Sequence, residues 1–213
     1  MKLTVFGATG GIGGHIVRQA LDAGHPVTAV VRDRARLDVP DQPALRVVTV
    51  PGLADPEPLE PALVGSDAAL SAVGGRSLKD AGVATTATRG ILGALEATGV
   101  RRFVAVSAMP VGPIPDGEGF LGRRLAYPVV RRILRKVYDD LEQMEADIRR
   151  SGLEWTVMRP PRLTDKPLSG KYRTTVGANV ANGSFISRAD VAHAMLAMLT
   201  DPRTIDQPVG VAL

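Results

Sequence analysis

The chain has no cysteine, which excludes disulfides, thiolate zinc sites and thiol nucleophiles together. Histidine is nearly as scarce: His15, His25 and His193 lie far apart without ligand spacing, so no metal centre is expected. Aromatic residues make up 4% of the chain, too few for the stacking platforms of single-strand nucleic-acid binders. No Gly-x-Ser-x-Gly elbow occurs, which speaks against a serine hydrolase. No apolar run approaches the roughly 18 residues of a membrane span. With a first strand beginning at Lys2, no removable leader is expected, and the expected location is cytoplasmic.

What is present describes a globular protein: 213 residues, 45% hydrophobic and 23% charged, enough for one domain with a substantial core. The net charge of +4 does not imply a nucleic-acid partner. Arg131, Arg132, Arg135 and Lys136 lie between the apolar positions Val130, Leu134, Val137, Leu141, Met144 and Ile148, and Asp139, Asp140, Glu142 and Glu145 counter them. This is the pattern of a helix with a core stripe and a solvated face. The sheet needs that stripe, so a monomer is expected.

The organising stretch is Leu-Thr-Val-Phe-Gly-Ala-Thr-Gly-Gly-Ile-Gly-Gly, residues 3–14. An apolar strand enters a turn with glycines at Gly7, Gly10 and Gly13, and helical spacing follows over 15–23. Gly7 lets the chain reverse, Gly10 admits a phosphate to the backbone, and Gly13 lets helix and strand pack closely. A pyrophosphate then belongs on the first helical turn. A second strand, 27–31, ends at Arg32, with Arg34 and Arg36 close behind. Arginine here suits the 2′-phosphate of NADP, whereas an acidic residue would suit NAD, and Asp33 keeps NAD open as the less favoured cofactor.

Further strands are expected at 46–50, 67–72, 102–106, 154–158 and 209–212, and helices at 56–64, 84–98, from 130 into the 140s, and after Ser187, whose hydroxyl can cap. The loop at 110–122 holds three prolines and four glycines and reads as a mobile segment or a lid. Residues 164–184 have no strong period and read as a small substrate-side excursion. Alternating strands and helices imply a single α/β domain of doubly wound, Rossmann type, with a crevice at the carboxyl ends of the strands. The glycine turn, Arg32, Gly74, Ser107 and Pro160 all follow strands, so one crevice can collect them.

Gly-Ala-Thr-Gly-Gly-Ile-Gly at 7–13, Val-Val-Arg-Asp at 30–33, Ser107, Arg-Pro-Pro-Arg-Leu at 159–163 and Ile-Ser-Arg-Ala-Asp-Val at 186–191 resemble the atypical short-chain dehydrogenase/reductase family. The resemblance is greatest to its NAD(P)H-binding branch, which contains biliverdin-IXβ reductase/flavin reductase. It implies that Gly7, Thr9, Gly10, Gly11 and Ile12 hold the pyrophosphate, with Arg32 and Arg36 at the adenosine phosphate. Ala72, Val73, Gly74 and Arg76 would flank the ribose, and Ser107, Pro160, Pro161 and Leu163 would line the nicotinamide. Two positions depart from the pattern. Pro51-Gly52 stands where the branch often has Gly-Asp, and Tyr138 is followed by Glu142 rather than by the lysine of Tyr-x-x-x-Lys.

The second departure argues against tyrosine-catalysed alcohol–ketone chemistry and leaves Tyr138 as a packing or cleft residue. Hydride transfer to a planar conjugated small-molecule acceptor of flavin, quinone or tetrapyrrole type demands less of the protein. Ser107 is the candidate catalytic residue, orienting acceptor or carboxamide; alternatively it is a strand-end serine bonded to backbone. A non-catalytic NADP-sensing regulator acting on a protein partner is the alternative function. An epimerase or dehydratase retaining NAD is disfavoured by Arg32 and the small substrate region.

Overall fold

The structure, a computed structural model, describes residues 1–75, 80–114, 119, 132 and 134–213. Much of the expected mobile segment or lid at 110–122 lies outside the described residues, as do Arg76, Val130 and Arg131.

The apolar stretch after Lys2 becomes strand β1 (Leu3–Phe6), buried on both faces as a central parallel strand must be. Helix α1 (Gly11–Asp22) follows, then β2 (Val27–Val31) and β3 (Leu45–Thr49). A 3-10 turn leads into the short α2 (Glu60–Leu63), with prolines in the first turn of each, where the missing N–H does no harm. Strand β4 (Ala68–Ser71), helix α3 (Val83–Thr98) and strand β5 (Arg102–Val106) continue the alternation. Helix α4 (Arg135–Arg149) and β6 (Glu154–Arg159) come next, followed by β7 (Arg162–Thr164), β8 (Arg173–Val176) and β9 (Phe185–Ser187). Helix α5 (Arg188–Ala197) and β10 (Gln207–Ala212) close the chain.

The main sheet has the order β3-β2-β1-β4-β5-β6-β10-β8. All its pairs are parallel except β10 with β8. Strand order reverses between β1 and β4, where β1 pairs with β4 through Leu3↔Ala68 to Phe6↔Ser71. One core, with Ile16, Val17, Val191 and Met195, fills the face under α1 and α5. The other, with Leu63, Ile91, Leu95, Met144 and Ile148, fills the face under α2, α3 and α4.

Within 164–184 lies β8, an antiparallel strand on the edge of the main sheet rather than wholly irregular chain. Its residues Arg-Thr-Thr-Val are mostly exposed and carry no apolar alternation, because an edge strand borrows its order from the one neighbour it pairs with. Ser187 does cap α5, accepting from the Asp190 amide at 2.9 Å.

Two buried polar residues tie elements together. Arg102, at the amino end of β5, donates to the carbonyls of Met198 (2.6 Å) and Glu154 (2.8 Å) and to the Thr156 hydroxyl (2.8 Å). Burial pulls its pKa down, opposed by the charges of Glu154, Asp206 and Asp201. Asp190, buried in the first turn of α5, accepts from the Ser187 hydroxyl and from the amides of Ser169 and Gly170, each at 2.9 Å or less. It thereby staples the chain after β7 onto the helix. Burial works to raise the Asp190 carboxyl, but these hydrogen bonds outweigh it and hold the pKa below the usual carboxylate value.

Arg102→Met leaves several buried acceptors unpaired and should lower the unfolding free energy by about 2–4 kcal/mol in urea titration. Ligand binding per folded molecule should be unchanged, since Arg102 lies at the opposite end of the strands from the glycine turn. Asp190→Asn should cost about 1–3 kcal/mol at pH 7. The wild type loses the carboxylate's contribution as the pH falls from about 4 through the depressed folded-state value, so the stability gap between the two should narrow on acidification.

Candidate active site

The glycine turn takes its shape from two close approaches. Gly7 adopts φ +74°, and a Cβ there would lie 2.8 Å from the Ala72 carbonyl, at the end of the neighbouring strand β4. A Cβ on Gly13 would lie 2.1 Å from the Gly7 carbonyl oxygen, so α1 can begin against the end of β1 only if position 13 is glycine. The Gly10 amide donates to Gly7 O at 2.9 Å, closing the turn. The amides opening α1 then have no intrahelical acceptor.

These elements border a cleft of about 780 Å³ at the carboxyl ends of β1 and β4. Its described lining includes two charged side chains, Arg32 and Arg188, and no carboxylate. Two helix N-termini reach it, and they differ. Helix α3 is capped by Asp140 of α4, whose carboxylate accepts from Ala84 N (3.1 Å) and Thr85 N (2.9 Å). Helix α1 has neither a side-chain cap nor an acidic residue in its first turn. The positive end of α1 is therefore the one left for an anion from outside. Glycine cradle, uncapped helix and cationic rim fit the diphosphate of a nicotinamide dinucleotide, which would lie against residues 7–11.

Of the expected site residues, Gly7, Thr9, Gly10, Gly11, Arg32, Ala72, Val73 and Gly74 line the cleft. Ile12 turns its side chain into the core, leaving only its amide on the first turn of α1. Arg32 is exposed and has no partner among the described residues. Arg34 is tied to the carbonyls of Leu37 and Val39 and to Asp41. Arg36 is exposed outside the lining, at the end of the 3-10 turn Arg34–Arg36 that Asp33 caps by accepting from Ala35 N at 2.9 Å.

Ser107, Pro160, Pro161 and Leu163 do not border the cleft as the described residues bound it. Ser107 and Pro160 belong instead to a second assembly at the ends of β5 and β6. Ser107 N donates to Met158 O (2.8 Å) and Met109 N to Pro160 O (2.9 Å). The Ser107 hydroxyl is buried and has no partner among the described residues, so it is not spent on backbone. Beside it, Arg159 at the end of β6 meets the fully buried Glu145 of α4 through both carboxylate oxygens, and Gly112 leaves room for that guanidinium. The Asn179 amide donates to Met109 O (2.8 Å) and Pro113 O (2.9 Å), pinning the same loop. Leu163 packs against the core under α1 and α5.

Tyr138 is a packing residue: it is buried in the core under α3 and α4, where burial raises its phenol pKa. The cleft also takes in the Pro51-Gly52 departure with Leu53 and Ala54, the start of α3, and Arg188, which the motif at 186–191 contains without a cofactor role. Gly90 in mid-α3 was a legible signal, since such a glycine costs about 1 kcal/mol against alanine and needs a reason. Its Cβ would lie 2.2 Å from Leu53 O, so it lets α3 close on the cleft wall.

Comparison with known proteins agrees with this geometry. Residues 7–202 match a family described as NAD(P)H-binding. An uncharacterised chloroplastic protein of Arabidopsis thaliana is 32% identical over 200 residues, spanning 90% of this chain and 69% of that protein. A short-chain dehydrogenase/reductase from Veillonella parvula, solved in complex with NADP, superposes with a TM-score of 0.81 at 20% identity, covering 100% of this chain and 94% of the other. An anaerobillin reductase from Escherichia coli superposes with a TM-score of 0.79 at 22% identity, covering 100% and 97%. With its glycine turn, its strand order and this match over most of its length, the chain belongs to the NAD(P)H-binding family.

Proposed function

We infer that the protein is an NADPH-dependent reductase of a small planar conjugated acceptor of flavin, quinone or tetrapyrrole type. The observation that carries this reading is the cleft's charge: Arg32 and Arg188 line it, no described carboxylate does, and Arg32 has no described partner of its own. Arg32 is the residue offered to a 2′-phosphate, because it borders the cleft and Arg34 is already engaged with Asp41. The bound cofactor would supply hydride. The protein's own residues orient the two reactants: the glycine turn and α1 anchor the diphosphate, and Ser107, with its buried unspent hydroxyl, supplies a hydrogen bond at the nicotinamide end.

The choice of acceptor class is supported by what the described residues of the cleft do not provide. With Tyr138 packed in the core, the described cleft lining holds no side-chain acid. A conjugated acceptor tolerates this, because its reduced form delocalises the charge until solvent protonates it. The same observation favours a second reading, an NADP-sensing regulator without turnover.

Titration of NADPH and NADH by nicotinamide emission, followed by addition of FMN and then a quinone, tests both readings. Tighter binding of NADPH with consumption supports the reductase; tight binding without consumption by either acceptor selects the sensor. Arg32→Gln should weaken NADPH roughly 10-fold or more, the worth of one charge-assisted hydrogen bond, and leave NADH nearly unchanged.

A further inference from the structure

Arg188 occupies an unfavourable place for an arginine. It is the first residue of α5, beside the positive end of that helix, where a cation is destabilising. The Ile-Ser-Arg-Ala-Asp-Val segment otherwise accounts for itself: Ile186 and Val191 are core, Ser187 caps the helix and Asp190 holds the chain after β7. The charge of Arg188 has one structural use, an ion pair with the largely exposed Asp165.

Its side chain crosses to the glycine turn. A Cβ built on Gly11 would lie 2.5 Å from Arg188 Cδ and 2.9 Å from Nε, so the arginine stem lies over the first residue of α1. Gly11 therefore has a reason beyond phosphate approach: it leaves the room this stem fills. The guanidinium and the unpaired amides of α1 border the same cleft wall. His15, one turn along α1, registers this charge, its pKa being lowered by burial first and also by Arg18 and Arg188, with Asp165 opposing.

The guanidinium also has a resting partner, Asp165, at 2.6 Å from Nη1. Strand pairing brings them near each other: β7 and β9 run parallel with Thr164 opposite Ser187, and Asp165 and Arg188 are the residues that follow these two in the chain. The Asp165 side chain is 87% exposed and that of Arg188 31%. An ion pair so open to water is worth about 0–1 kcal/mol, so it breaks readily for a better anion.

We propose that Arg188 is a clamp on the cofactor diphosphate, held in reserve by Asp165 and transferred to the phosphates when the dinucleotide binds. The assignment rests on the nicotinamide-dinucleotide reading of the cleft and adds to it a residue and an exchange. A diphosphate offers several oxygens and two charges to the guanidinium fork and lies against the α1 amides as well, whereas Asp165 offers one carboxylate in water. Because the diphosphate is common to both cofactors, Arg188 serves NADP and NAD alike, while Arg32 separates them.

Calorimetric titration of NADP⁺ and NAD⁺ into the wild type, Arg188→Gln, Asp165→Asn and the double variant tests this, with thermal midpoints taken without cofactor to confirm folding. Arg188→Gln should weaken both cofactors by the same factor, roughly 10-fold, leaving their ratio unchanged. Asp165→Asn should tighten both by about 2–5-fold, the scale of an exposed ion pair, and should have no effect in the Arg188→Gln background. Unchanged affinities in Arg188→Gln overturn the clamp, and a loss confined to NADP⁺ overturns the diphosphate assignment in favour of the 2′-phosphate. An Asp165→Asn effect that persists without Arg188 overturns the exchange. If the wild type binds neither cofactor, the nucleotide reading itself fails and the clamp with it, a result distinct from all of these.

Discussion

The approach of α1 to β1 is the constraint on which the site depends. Gly13 lies so close to the Gly7 carbonyl that a Cβ would stand 2.1 Å from its oxygen, and Gly7 meets the end of β4 in the same way. These approaches bring the uncapped end of a 12-residue helix to the point where strand order reverses. A parallel sheet opens a crevice there because neighbouring connections leave on opposite faces. Any side chain at Gly7 or Gly13 would push helix and strand apart and turn the α1 amides away from the cleft.

The charge of the site is arranged by what is already satisfied elsewhere. Asp140 closes the N-terminus of α3, Asp33 closes a 3-10 turn, and Asp41 engages Arg34. After those pairings the described lining retains Arg32, Arg188 and the amides of α1 as its positive elements. The positive charge of this lining is thus a remainder, left after Asp140, Asp33 and Asp41 are engaged elsewhere. The 107–114 segment follows a different logic: it is held by the buried Glu145–Arg159 pair and by Asn179, which fix the end of β6 against α4. That rigidity is what a hydrogen-bonding serine needs if it is to orient a bound ring, because a loosely held donor loses its geometric value.

Much of this could be read along the chain. The strand, glycine turn and helix of residues 3–22 are local features, and so is the Ser187 cap, because hydrogen bonds within a few residues leave a mark in adjacent letters. The central strands carried their apolar runs openly, since both faces of the sheet are covered. Strand β8 carried no such mark, because it is ordered by pairing with β10, more than thirty residues further along the chain. The resemblance implies Arg36 beside Arg32 at the adenosine phosphate, yet Arg32 borders the cleft and Arg36, at the end of the 3-10 turn that follows, does not.

The sequence by itself determined the fold class, the place of the dinucleotide turn and the arginine that ends β2, because each depends on backbone conformation or on patterning within a short span. The tertiary structure decided what long-range packing alone can decide. Tyr138 is buried between helices, α3 closes on the 51–54 segment through Gly90, and Arg188 reaches Gly11 across more than 170 residues of chain. Such distances are set by how α1 and α5 share one face of the sheet, and no periodicity in either helix records them.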